Sequence, residues 1–130
     1  MESSNSPPEE TLYRRLRGYD VIAAVIDDFL SRFGNDPRFA RFSGGRSLDS
    51  RQRSRQLLVD QICSLAGGPC MYTGRDMKTA HAGLGITEAE WQATLQCVST
   101  ALEKYGVALR EKEEFLAIFQ GYKNDIVEKS

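Results

Sequence analysis

Residues 65–91 read LAGGPCMYTGRDMKTAHAGLGITEAEW, and their punctuation organises the chain. Gly67-Gly68-Pro69 closes a helix sharply, because glycine tolerates the left-handed turn of a helix end and proline cannot continue a helix. A loop of about eight residues, GPCMYTGR, follows. Asp76–Ala82 then reads as a short helix carrying MKTAHA, stopped by Gly83 and Gly85. Thr87 with Glu90 three residues later is a capping box, in which each side chain satisfies a free backbone amide of the other. The helix it opens has apolar residues at 91, 95, 98, 102 and 105 and is broken by Gly106-Val107.

The same period extends on both sides. Leu12–Leu16 reads as a short first helix ending near Gly18. Tyr19–Phe33 places apolar residues at 21, 22, 25, 26, 29, 30 and 33, with Asp20 as the expected N-cap. Gly34, Asn35, Asp36 and Pro37 end that helix, and Phe39 and Phe42 sit in an irregular turn with Gly44-Gly45 as its hinge. A further long helix is expected from Asp49 or Ser50 to Ala66, with Leu57, Leu58, Ile62 and Leu65 inward and Ser54 and Gln61 at the edges of the stripe. The last helix is expected over Glu111–Val127, with Phe115, Ile118, Phe119, Tyr122 and Ile126 inward. No segment alternates like a strand, so the fold class is all-α.

The 130 residues suffice for one domain with a real core. Residues 1–10 read as a disordered tail and 11–130 as the folded domain. Seventeen basic and 18 acidic side chains leave a net charge of −1, which argues against nucleic-acid binding and a polybasic membrane anchor. Uncharged runs such as Val21–Ile26 fall far short of the ~20 apolar residues that span a bilayer. The polar, acidic N-terminus lacks a signal-peptide layout, so a cytoplasmic location is expected. Cys63, Cys70 and Cys97 are odd in number and at no metal-finger spacing; neither a disulfide framework nor a zinc site is expected.

His81 is the only histidine, which removes every mechanism that needs two imidazoles. No phosphate loop or nucleophile elbow occurs, and helix stops account for the paired glycines without a phosphate. Met77 lies four residues before His81 and Lys78 three, so all three can share a helix face, with Arg75 just upstream. Imidazole beside a thioether, with cations at the periphery, suits a porphyrin: nitrogen to iron, sulfur against the ring, cations to the propionates. The other reading is a histidine capping a helix C-terminus. A second apolar wall is available in Phe29, Leu30, Phe33, Phe39, Phe42, Leu57, Leu58 and Ile62, residues that an ordinary helical core would also explain.

Residues 12–33 (LYRRLRGYDVIAAVIDDFLSRF), 36–42 (DPRFARF) and 65–91 together resemble the group I truncated haemoglobins, the run GGPxxYTGxxMKxxHxGxxIT most specifically. The match reaches from about Leu12 to the end, weaker after Tyr105. The resemblance implies a two-over-two helical sandwich around one haem b (iron protoporphyrin IX), with His81 as the iron ligand. It places Arg75 and Lys78 at the propionates and Tyr72 and Met77 at the haem edge or proximal face. The chain also departs from the family. Arg17-Gly18 stands where the family has a glycine pair. Phe29-Leu30 stands where a Phe-Tyr pair is common, so the tyrosine hydroxyl that hydrogen-bonds dioxygen is missing. Phe42-Ser43 replaces a Phe-Phe pair, and Phe42 is taken as the ring-packing residue. Counting back from Gly67-Gly68 turns Ser54, Leu58 and Gln61 toward the haem, although Gln61 on the solvent side is an equal alternative.

The resulting expectation is a monomeric protein that binds dioxygen, nitric oxide or carbon monoxide at iron. Its roles would be oxygen binding and transport or nitric oxide detoxification. Dioxygenase-like or peroxidase-like turnover would need an external electron donor. The alternative from another class is a haem-free helical interaction domain, which would show no porphyrin absorption.

Overall fold

Ile22, Ala23, Val25, Ile26 and Phe29 fall on one side of a 17-residue helix, α2 (Tyr19–Asn35), and all are buried. The computed structural model describes residues 10–43 and 47–129, the Ser43 side chain excepted. Residues 1–9 of the expected tail and the Gly44-Gly45 hinge lie outside the described residues. The other helices are α1 (Leu12–Arg15), α3 (Ala40–Ser43), α4 (Leu48–Leu65), α5 (Met77–His81), α6 (Glu88–Lys104), α7 (Leu109–Gln120) and α8 (Lys123–Ile126), with a 3-10 turn at Pro37–Phe39. Helix α2 packs on α4 and crosses to α6, which pairs with α7. That is a two-over-two sandwich, with Phe39, Val59, Val98, Leu102 and Phe115 fully buried in its core. Among the described residues there is no strand, only an isolated parallel bridge between Thr87 and Lys129.

Three helices end in the same motif, in which the second residue past the cap donates back to the third-last helical residue and the first to the one after it. Gly67 and Gly68 donate to Ser64 and Cys63 carbonyls (3.1 and 2.8 Å) at the end of α4. Gly106 and Val107 close α6 in the same way, and Arg17 and Gly18 close α1. The left-handed position is Gly67 (φ 95°) and Gly106 (φ 69°), but at α1 it is Arg17 (φ 74°). This is the position where the first glycine of the family pair is missing. Gly68 is needed for space as well, since a Cβ there would lie 2.7 Å from Cys63 Sγ.

The turn after α4 also corrects the expectation about cysteines. It folds residue 70 back onto the last turns of the helix, and Cys63 and Cys70 form a disulfide with Cα atoms 5.8 Å apart. An odd cysteine count speaks against a full framework; it does not exclude one pair and a remainder. The remainder is Cys97, buried on α6, where burial pushes its thiol pKa up.

Three other expectations change. Leu65, expected inward, is 49% exposed, while Val59, outside the expected row, is buried. Helix α4 carries two working faces, one on α2 and one on a cavity, so a single-stripe reading misplaces its edges. The last helix is interrupted after Gln120 by a turn at Gly121-Tyr122. Asp20 lies inside α2, whose N-cap is Gly18, and its charge faces the helix N-terminus from the first turn.

Arg17→Gly should relieve about 1–2 kcal/mol of left-handed strain and return part of it through a freer unfolded chain. The urea midpoint should rise by the equivalent of about 0.5–1 kcal/mol at unchanged slope. The disulfide predicts an intact mass two hydrogens short of the reduced chain. A thiol reagent should find only Cys97, and only after unfolding.

Candidate functional site

Helix α5 has five residues and none of them is buried, so its flanks hold it. Asp76 caps it by accepting from Thr79 N at 3.1 Å, bonds that hold its carboxyl below the usual range. Tyr72 closes the preceding loop by donating its hydroxyl to the Arg75 carbonyl. Within the helix, His81 Nδ1 lies 2.9 Å from the Met77 carbonyl. A carbonyl only accepts, so Nδ1 is the donor in this bond and Nε2 is the ring nitrogen left to a metal. The chain leaves the helix at once: Ala82 is extended (φ −61°, ψ 134°).

His81 lines a cavity of about 620 Å³, within the range of cofactor pockets. Helix α2 contributes Phe29, Leu30 and Phe33, and the following turn Phe39, Arg41 and Phe42. Helix α4 contributes Ser54, Leu57, Leu58, Gln61 and Ile62; the loop and α5 contribute Tyr72, Arg75, Met77, Ala80 and His81. Leu84 and Ile86, then Glu90, Trp91 and Thr94 of α6, and Phe119, Tyr122 and Ile126 complete the walls. The aromatic wall is a packed unit. Phe33 stacks on Phe39 with centroids 4.1 Å apart, and Phe29 meets Phe33 at 5.9 Å and Phe119 at 6.0 Å. Phe42 lies 6.2 Å from Phe33 under the Arg41 guanidinium, which sits 4.1 Å above its ring.

Of the residues expected at a cofactor, only Lys78 stands outside the lining, exposed on α5. Ser54 and Arg75 line the cavity but are exposed, as suits its rim. Gln61, for which inward and solvent-side placements were equal, is 6% exposed and lines the cavity. Its amide makes no hydrogen bond among the described residues. Among the described residues, Trp91 Nε1 is buried without a partner. Arg41, Trp91, Thr94 and the C-terminal Tyr122 and Ile126 were not foreseen as lining. The usable signal was the inward row of the last helix, which was read only as core.

Residues 11–128 match the model of the family described as Bacterial-like globin. The chain is 28% identical to a group 1 truncated haemoglobin of a Nostoc species, over 92% of this chain and 98% of that one. It is 29% identical to one of Mycolicibacterium paratuberculosis, over 82% and 76% of the two chains. The crystal structure of the Tetrahymena pyriformis truncated haemoglobin in its Fe(III) form superimposes with a TM-score of 0.83, at 23% identity over 92% of this chain and 100% of that one. An all-helical sandwich whose walls converge on a single imidazole is the architecture of a globin. The chain belongs to the bacterial-like globin family, whose cofactor is haem and whose work is haem-based binding of small gaseous ligands.

The cavity fits that cofactor. Its lining is mainly apolar, its single imidazole keeps Nε2 outside the Nδ1 hydrogen bond, and the Gln61 side chain is held in its wall.

Proposed function

We propose that the protein reversibly binds dioxygen, nitric oxide or carbon monoxide at a haem b held through His81 Nε2. The observation that carries this reading is the Nδ1–H bond to the Met77 carbonyl, which fixes the ring tautomer and leaves the other nitrogen to a metal. Haem, when bound, supplies an iron with a coordination position open to a diatomic ligand. Met77 would pack on its proximal face and Phe42 against its ring, and Arg75 at the rim, with Lys78 outside it, would meet its propionates.

On the distal side the chain's own polarity is sparse. Leu30 brings no hydroxyl to the lining. Gln61 brings an amide that makes no hydrogen bond among the described residues, and it is the donor that would meet a bound ligand. Dioxygen accumulates negative charge on binding and gains from such a donor; carbon monoxide gains little. Any redox turnover would draw its electrons from an external donor. A haem-free interaction domain would have no use for a cavity built around an oriented imidazole.

The purified protein should be red, and its ferric, ferrous, oxygenated and CO-bound spectra should be those of a histidine-ligated haem b. His81→Gly should lose haem or hold it loosely, and free imidazole should restore part of the spectrum; a native spectrum without imidazole excludes His81 as ligand. Arg75→Ala with Lys78→Ala should speed haem transfer to an acceptor apoglobin at unchanged ligation. Gln61→Leu should speed dioxygen release roughly two- to tenfold, the value of one neutral hydrogen bond, while Leu30→Tyr should slow it and leave carbon monoxide release nearly unchanged. If neither variant alters dioxygen release, the distal assignment fails.

A further inference from the structure

The segment that follows His81 has little of its own to hold it. Gly83 (φ 82°) and Gly85 (φ 65°) carry no side chains, and its bonds back to the short helix are two long ones, from Ala82 N to the Thr79 carbonyl at 3.4 Å and from Leu84 N to the His81 carbonyl at 3.3 Å. Since α5 buries no residue, the rear of that helix is as steady as this segment.

The end of the chain supplies the anchor. Glu128 receives Gly83 N on one carboxylate oxygen at 3.0 Å and Gly85 N on the other at 2.7 Å. Glu128 N and Lys129 N both donate to the Ile86 carbonyl, at 2.8 and 3.1 Å, and Glu88 N donates to the Lys129 carbonyl at 3.0 Å. Residues 83–88 are thus tied to 128–129 amide by amide. The two amides hold the Glu128 carboxyl below the usual carboxylate range. From the cavity side, Arg41 donates to the Leu84 carbonyl at 2.8 Å and to Gly85 at 3.2 Å. The same guanidinium grips Glu90 with two bonds, at 2.7 and 3.2 Å, and stacks on Phe42. An anion therefore takes the segment's N–H groups while a cation takes its carbonyls, and each comes from a part of the chain distant in sequence.

We propose that Glu128, seconded by Arg41, is a positioning residue for His81: by clamping residues 83–88 it holds the end of α5 so that the imidazole meets the iron at one distance and angle, and so retains the haem. The proposal rests on the reading of His81 as the iron ligand. Groups that orient a metal-binding histidine from outside its coordination sphere commonly change metal affinity by about 10–100-fold when removed. Glu128 differs from such groups in acting one segment away, through backbone amides that glycine leaves bare.

The test uses the haem-loaded protein and reads two quantities: the iron–histidine stretching vibration of the ferrous form, and the rate of haem transfer to an acceptor apoglobin. Glu128→Ala should shift or broaden the vibration and speed transfer about tenfold or more. Glu128→Gln, which keeps one acceptor oxygen, should fall between it and the parent. Arg41→Met should move both quantities in the same direction as Glu128→Ala. Glu113→Ala, an exposed acid on α7, should change neither. If Glu128→Ala lowers the urea midpoint but leaves vibration and transfer as in the parent, the residue is only structural and the proposal is overturned. Unchanged values throughout overturn it too. Should Glu128→Ala fail to yield haem-loaded protein, Glu128→Gln and Arg41→Met decide by the same two readouts. Failure of the underlying reading looks different: the parent protein itself would lack an iron–histidine band.

Discussion

His81 Nδ1 donates to the Met77 carbonyl at 2.9 Å, and everything else about the site follows from what that bond demands. It fixes the tautomer, but a hydrogen bond inside a five-residue helix orients the ring only relative to that helix. A helix this short is not stable on its own, because nucleation costs more than one or two hydrogen bonds return. The surroundings must therefore place it. Asp76 and Tyr72 do so at its front, Glu128 and Arg41 at its rear, and α8 packs alongside it. The C-terminal residues are an integral wall of the site, since Tyr122 and Ile126 line the cavity and Glu128 ties down the segment behind the imidazole.

A cavity of about 620 Å³ inside so small a fold sets a second demand. Side chains around such a space forfeit dispersion contacts on their open side, and a collapse would recover them. The rings at residues 29, 33, 39, 42 and 119 resist this by packing edge or face against one another, so their planes are fixed by neighbours on the protein side. Haem binding to the folded state alone then adds its binding free energy to the stability of the fold. The disulfide and the three glycine- or arginine-closed helix ends brace the frame outside the cavity.

What the sequence made legible follows the same division. Helices α2 and α6 have one buried stripe each, and a single 3.6-residue period found both; the Thr87–Glu90 capping box was readable because it is purely local. Helix α4 was read less well. Its positions 59 and 63 serve α2 while 54, 58 and 61 serve the cavity, and two overlapping stripes erase the polar face on which the method relies. The Cys63–Cys70 pair was missed because counting cysteines ignores the chain reversal at Gly67-Gly68 that brings residue 70 back. The break at Gly121-Tyr122 was missed because residues 115, 118, 119, 122 and 126 keep helical spacing across it. Arg41 and Glu128 were beyond reach for another reason: their bonds go to backbone amides and carbonyls of residues 83–85, and backbone partners leave no trace in side-chain spacing.

The distal wall shows why the placement of one polar group decides more than composition does. Phe29 and Leu30 leave the α2 side of the cavity without a donor. If Gln61 turned to solvent, the α4 side would offer only Ser54, which is exposed at the rim. The fold instead buries Gln61 to 6% exposure, in the lining of the cavity, and its amide makes no hydrogen bond among the described residues. Its polar atoms stay open to the cavity, where a ligand could accept from them. Donation from α4, three residues along from Leu58 and one before Ile62, also comes from a helix tied at its end to the loop that leads to His81. Gln61 and His81 thus lie on two helices whose connecting loop is pinned near its start to the last turns of α4, which shortens the free span between them to residues 71–76.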